Sequence, residues 1–126
     1  MPQIVLEYSS NLPDVIDFNS LFNDIHQILH NRAGIRLQNC KSRARVADDY
    51  FIGDGEGNNA FVHLQIRFIK GRTPAIKQTV GEQCLIMLKQ YYSDAIATMA
   101  LQLTVEVDDL LPEFYFKHPE GSLTPQ

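Results

Sequence analysis

Cysteine is scarce in this sequence, long apolar runs are missing, and positive charge is not in excess. Each shortage removes a class of function. Cys40 and Cys84 are the two cysteines among 126 residues. Neither sits in a CxxC or zinc-like spacing, so no thiolate metal centre or dithiol motif is indicated. No stretch approaches the roughly 18 consecutive apolar residues of a membrane span. The N-terminus lacks a basic segment followed by an apolar run, so no export signal is expected. Two isolated thiols then fit a reducing, cytoplasmic setting. The formal net charge of −4 argues against a general nucleic-acid binder. What remains, 44% hydrophobic and 21% charged residues, suits one soluble domain over residues 1–126 with a real core.

Within that frame the first two residues stand out. A small second residue such as Pro2 favours removal of Met1, leaving a free secondary amine at the chain start. That amine is a useful base near neutral pH only if it is unprotonated, which desolvation and neighbouring positive charge favour. Gln3-Ile4-Val5-Leu6-Glu7-Tyr8 reads as a strand, which would fix the amine in place. Met-Pro with no chemical meaning is the plain alternative.

The rest of the chain repeats one pattern. Ser9 to Asp17, with Pro13, reads as a loop. Phe18, Leu21, Phe22, Ile25, Ile28 and Leu29 recur at helical spacing, with Asp17 or Asn19 as cap and Gly34 as stop. From about Leu37 to Ala47 the chain alternates, with Cys40, Ser42, Ala44 and Val46 on one face. Lys41, Arg43 and Arg45 make the other face basic. Gly53 to Asn59 is a turn-rich connector. Ala60 to Ile69 is a clear strand, Lys70-Gly71-Arg72 a basic turn, and Thr73-Pro74 a helix start. The helix is expected to run to about Thr98, followed by a strand from Leu101 to Val107. The order is thus βαβ twice, with an offset of roughly 58 residues, and parallel pairing inside each half. One four-stranded sheet with both helices on one face accounts for it, an α+β architecture. Phe61 and other groups on the second face call for a covering subunit. An intersubunit strand is the expected fate of the aromatic tail Phe114-Tyr115-Phe116, and the polar stretch from Lys117 is expected to be mobile.

An N-terminal proline on a strand, a doubled βαβ and a basic turn before the second helix together resemble the tautomerase superfamily. The nearer resemblance is to the 5-carboxymethyl-2-hydroxymuconate delta-isomerase family, over almost the whole chain. It is carried by Ala60-Phe61-Val62-His63, by Gly71-Arg72, and by Glu106-Val107-Asp108-Asp109-Leu110-Leu111-Pro112 through Phe114, Phe116 and Lys117. The resemblance implies a homotrimer without metal or organic cofactor, and an active site around the processed proline near a subunit boundary. It also implies proton transfer in an unsaturated keto/enol dicarboxylate from aromatic-compound breakdown, such as homoprotocatechuate degradation. Pro2 would be general base and then general acid. Arg72 matches the family's arginine in the turn before the second helix. On the second strand the family's arginine aligns with Lys41, a departure, while Arg43 matches a neighbouring basic residue.

These assignments agree with what the chemistry needs. A proton moved through a dienolate requires a group that removes it and returns it elsewhere. The amine must titrate near or below the ordinary 7.7–8.0 of a free α-amino group, roughly. Fixed cations serve both the substrate carboxylates and the developing enolate, and arginine adds bidentate geometry that lysine lacks. Arg72 is the best cation candidate, a surface arginine being the plain alternative, while Lys41 and Arg43 could equally form a solvated basic face. Arg45 and Arg67 are read as surface charges.

Weaker signals mostly fail. His26-Gln27-Ile28-Leu29-His30 is spaced like the zinc helix motif but has Gln27 where the general-base Glu belongs. The connector at Gly53 carries Asp54 and Glu56, which repel phosphate, and its spacing is poor for calcium. His63 is read as a structural histidine and Cys84 as core. Alternatives to the diacid isomerase are a phenylpyruvate-type keto–enol tautomerase, a tautomerase-fold binding protein without activity, and a ferredoxin-like RNA-binding module. The acidic charge and the lack of a paired aromatic motif weigh against RNA.

Overall fold

The structure, a computed structural model, describes residues 1–119 and 121. Strand β1 spans Gln3–Ser9, helix α1 Phe18–Ala33 and strand β2 Lys41–Ala47. Strand β3 spans Asn59–Ile69, helix α2 Pro74–Tyr91, helix α3 Ser93–Thr98 and strand β4 Ala100–Leu110. The strands form one sheet in the order β2-β1-β3-β4. Pairing is parallel inside each half, β1 with β2 and β3 with β4, and antiparallel across the central β1–β3 seam. This is the doubled βαβ expected from the pattern.

Local chemistry sets the helix ends. The Asp17 carboxylate accepts hydrogen bonds from the Asn19 and Ser20 amides at 3.0 and 3.3 Å, which holds its pKa below the usual range through its hydrogen bonds to Ser20 first. Gly34 ends α1 in the left-handed region at φ 66°, where a side chain would be strained. Thr73 Oγ1 accepts from the Ile76 amide at 3.2 Å and Pro74 opens α2.

Both helices cover one sheet face. Ile4, Leu6, Val62, Leu64, Ile66 and Phe68 pack there against Leu21, Ile25, Leu29, Val80, Cys84 and Leu88, all essentially inaccessible. Cys84 is core, and burial pushes its thiol up to about 12. The opposite face is polar. In register across it run Lys41, Gln3, Arg67 and Asp108, then Arg43, Val5, Gln65 and Glu106, then Arg45, Glu7, His63 and Thr104. A subunit docking there meets hydrogen-bonding groups rather than the apolar patch that Phe61 suggested. In the tail Phe114 and Phe116 are 74% and 88% exposed, and outside it Val15 and Phe51 are exposed as well.

Three boundaries differ by more than one residue from those expected from the sequence. Leu37–Asn39 is a 3-10 turn, closed by the Cys40 amide on the Leu37 carbonyl at 3.1 Å, so β2 begins only at Lys41. The long helix breaks at Tyr92 (φ −105°, ψ 30°). There the Asp14 carboxylate accepts the amides of Asp94 and Ala95 at 3.1 and 3.0 Å and starts α3 as a new helix. Strand β4 continues to Leu110 because Asp108 and Asp109, poor strand formers, have partners. Gln65 donates to Asp108 at 3.3 Å and the Lys77 ammonium pairs with Asp109 at 3.3 Å. The expectation of a mobile tail falls largely on residues 120 and 122–126, which lie outside the described residues.

Candidate active site

Strand directions bring four segments to the chain start. Because β2 runs parallel to β1, its first residue, Lys41, lies beside Gln3, and the Lys41 amide donates to the Pro2 carbonyl at 3.2 Å. Because β3 runs antiparallel, Arg67 is the partner of Gln3, so the turn after β3 carries Arg72 past Pro2. Strand β4 finishes at the same end, and the Lys70 amide donates to the Leu110 carbonyl at 2.9 Å. A 3-10 turn at Pro112–Phe114 then folds the tail back, and Gln3 Nε2 donates to the Tyr115 hydroxyl at 2.8 Å.

Positive charge gathers around the terminal amine, which here belongs to Met1. That amine is held down to about 6, by desolvation first and then by Lys41, with Lys117 and Arg72 adding and the Cys40 thiol opposing. Each cation disfavours a second positive charge nearby. Pro2 itself is buried and Met1 only half-buried, so a chain that started at Pro2 would place its amine deeper.

Arg72 is built into this corner. Its Nε donates to the Ala33 carbonyl at the end of α1 at 3.1 Å, and its Cζ lies 5.6 Å from the centre of the Phe68 ring. Its Nη2 is buried without a hydrogen-bond partner, and desolvation lowers its pKa. A half-buried guanidinium with an unused donor is suited to an incoming oxyanion. Of the two strand-two candidates, Lys41 joins the cluster. Arg43 lies two residues further along the open face, where its Nη1 donates to the Gln3 side-chain oxygen. The Lys41 ammonium donates to the Asn39 carbonyl at 2.9 Å.

Lys117, in the C-terminal stretch that carries the resemblance, is not among the expected site residues; only the fold-back of the tail puts its charge near the amine. The histidines have separate partners. His63 sits between Thr104 Oγ1 at 2.6 Å and Glu106 Oε1 at 3.1 Å on the open face. His26 Nε2 lies 2.7 Å from Ser42 Oγ, and His30 Nδ1 lies 2.9 Å from the Ile35 carbonyl oxygen. Among the described residues, no three His, Cys, Asp or Glu side chains converge as metal ligands, and no helix is long and apolar enough to cross a membrane.

Comparison with known proteins bears on what such a corner does. The family described as 5-carboxymethyl-2-hydroxymuconate isomerase matches residues 2–120. The chain is 26% identical over 117 residues to a 5-carboxymethyl-2-hydroxymuconate Delta-isomerase of Escherichia coli, covering 93% of each. Its fold is similar to the crystal structure of a 5-carboxymethyl-2-hydroxymuconate isomerase from Deinococcus radiodurans R1. The TM-score is 0.84 at 25% identity, over 97% of this chain and 90% of that one. A fused 4-OT symmetric trimer shares the fold alone, with a TM-score of 0.65 at 16% identity over 96% and 95% of the two chains.

Proposed function

The chain belongs to the 5-carboxymethyl-2-hydroxymuconate isomerase family and is an isomerase, and we propose that it works without a cofactor, through the amine of Pro2 after removal of Met1. The substrate is an unsaturated keto/enol dicarboxylate such as 5-carboxymethyl-2-hydroxymuconate. Pro2 takes a proton from the substrate, the electrons move into a dienolate, and the same nitrogen returns the proton to another carbon. Arg72 holds a carboxylate or the enolate oxygen with its unused Nη2 donor. Lys41 and Lys117 keep the amine unprotonated and draw the dianion in.

The observation that carries this reading is the gathering of Lys41, Lys117 and Arg72 at the chain start, where desolvation first and then these cations hold the Met1 amine at about 6. A lone pair free at neutral pH, beside an unpaired buried guanidinium donor, is the equipment the reaction requires. The working unit is a homotrimer. Supporting it are the exposed Phe114 and Phe116 and the open polar sheet face with its unpaired β2 edge.

The test begins with intact mass on untagged protein, followed by a spectroscopic isomerisation assay on the same sample. Loss of Met1 with turnover of the diacid is expected, together with a trimer by light scattering. Pro2→Ala should sharply reduce isomerisation while the protein stays folded; an unchanged rate removes the mechanism. Turnover of phenylpyruvate-like monoacids in preference to the diacid would move the protein to the keto–enol tautomerases.

A further inference from the structure

Between helix α1 and the edge strand β2 lies a second feature next to the chain start, open to solvent and of mixed polarity. Asn19, Asn23 and His26 lie at spacings of four and three residues, so they share one flank of α1. That flank looks toward β2, where Ser42 projects on the helix side and meets the His26 ring at 2.7 Å. With Phe22, Cys40 and Lys41 they line an open cavity of about 470 Å³. Cys40 and Lys41 also act electrostatically on the terminal amine, so the cavity and the chain start share a wall. Among the described residues, Lys41 pairs with no carboxylate.

We propose that this cavity is the subsite for the remote carboxylate of an unsaturated diacid, with Lys41 supplying charge and the His26–Ser42 pair supplying a directed hydrogen bond. The inference rests on the diacid reading given above and extends it to residues outside the proton-transfer corner. Desolvation lowers the pKa of His26, so the ring is neutral at neutral pH. With its Nε2 proton directed at Ser42 Oγ, the ring leaves the serine hydroxyl proton free to point at a carboxylate oxygen. The side-chain amides of Asn19 and Asn23 add neutral donors at the rim. Lysine supplies a point charge without the planar fork of arginine, and the serine and amide donors supply the direction it lacks. A pocket furnished with such donors favours the ligand that fills them over one that leaves them unpaired.

Ser42→Ala and His26→Gln should each lower the preference for diacid over the matching monoacid about tenfold, mostly through KM for the diacid. An unchanged preference in both variants overturns the subsite. A readout independent of turnover is the NMR signal of the His26 ring during titration with adipate, a saturated dicarboxylate, and with hexanoate. Adipate should shift the signal at concentrations where hexanoate does not, and Lys41→Met should weaken that response. Adipate that inhibits turnover yet leaves the His26 signal unmoved overturns the proposal. A protein that isomerises no diacid, but whose His26 still answers to adipate, keeps the subsite and refutes the reaction.

Discussion

The two ends of the sheet are related by the internal repeat yet differ in charge. At one end β1 and β2 begin while β3 and β4 finish, and Lys41, Arg72 and Lys117 surround the chain start. At the other end β3 and β4 begin while β1 and β2 finish. There Asp48, Asp49 and Glu56 line a cavity of about 420 Å³. Asp54 accepts from the Glu56 amide and the Asn59 side chain at 3.1 and 3.0 Å, and Asp14 starts α3. The backbone frame is repeated, but only one end has a chain terminus to be activated. Asp108 and Asp109 lie at that end too, but they are paired with Gln65 and Lys77, and a free carboxylate there would raise the amine's pKa instead of lowering it. The halves divide other labour too. Strands β3 and β4 pair along 11 residues each, whereas β1 and β2 are 7 residues long. The longer half anchors and the shorter half carries the amine.

Blocking the amine should separate the ends most strongly. Acetylating Pro2 in protein that has lost Met1 removes the proposed base and should lower kcat/KM by roughly 10²- to 10⁴-fold, with circular dichroism and Tm unchanged. A loss below tenfold would break the contrast between the ends. Next comes Arg72→Ala, which should cost about 10²-fold in kcat/KM and hurt a diacid more than a monoacid. Equal losses would mean that Arg72 reads no carboxylate.

Smaller effects sharpen the electrostatic part. A base must be unprotonated to act, so kcat/KM should rise with pH through a limb below the ordinary α-amino range, because desolvation first and then Lys41 lower the pKa of an amine at this end. Lys41→Met or Lys117→Met removes a cation, raises the amine's pKa and should move that limb to higher pH; a limb that stays put in both variants places these lysines outside the site. At the acidic end, Asp14→Ala should cost about 1 kcal/mol of stability as a lost helix cap, read as a lower Tm in thermal unfolding. Smallest of all, Asp48→Asn with Asp49→Asn should change kcat/KM by less than about twofold, because the ends lie further apart than the Debye length of roughly 8 Å at physiological salt. A tenfold change would show the two ends to be coupled.

Much of the fold could be read from local chemistry. Asp17, Gly34, Thr73 and Pro74 mark helix ends through neighbours within a few residues, and the alternation in β3 names its buried face unaided. What escaped was non-local. The break at Tyr92 depends on the Asp14 carboxylate, 80 residues from Asp94. The last residues of β4 need Gln65 and Lys77 to donate to two consecutive aspartates. In the site, Pro2, Arg72 and Lys41 were legible as candidates because a basic turn and a basic strand lie on either side of the repeat. Alternation alone could not choose between Lys41 and Arg43, which share a face. Register does: Lys41 pairs with Gln3 and Arg43 with Val5. Lys117 was not assigned because no periodicity predicts where a tail folds back. His26 was weighed only as a metal ligand, since Ser42 lies on a different element.

The antiparallel seam between β1 and β3 has a consequence for rewiring. It is what lets the turn after β3 reach the beginning of β1. A circular permutant opened within Gly53–Asn59, with the natural termini joined by a linker, would keep every strand in its place. On the proposed chemistry it would nonetheless be inert. Its new terminus would emerge at the acidic end, and the old one would be an ordinary amide. On that chemistry the place of the free amine in the fold matters as much as any side chain.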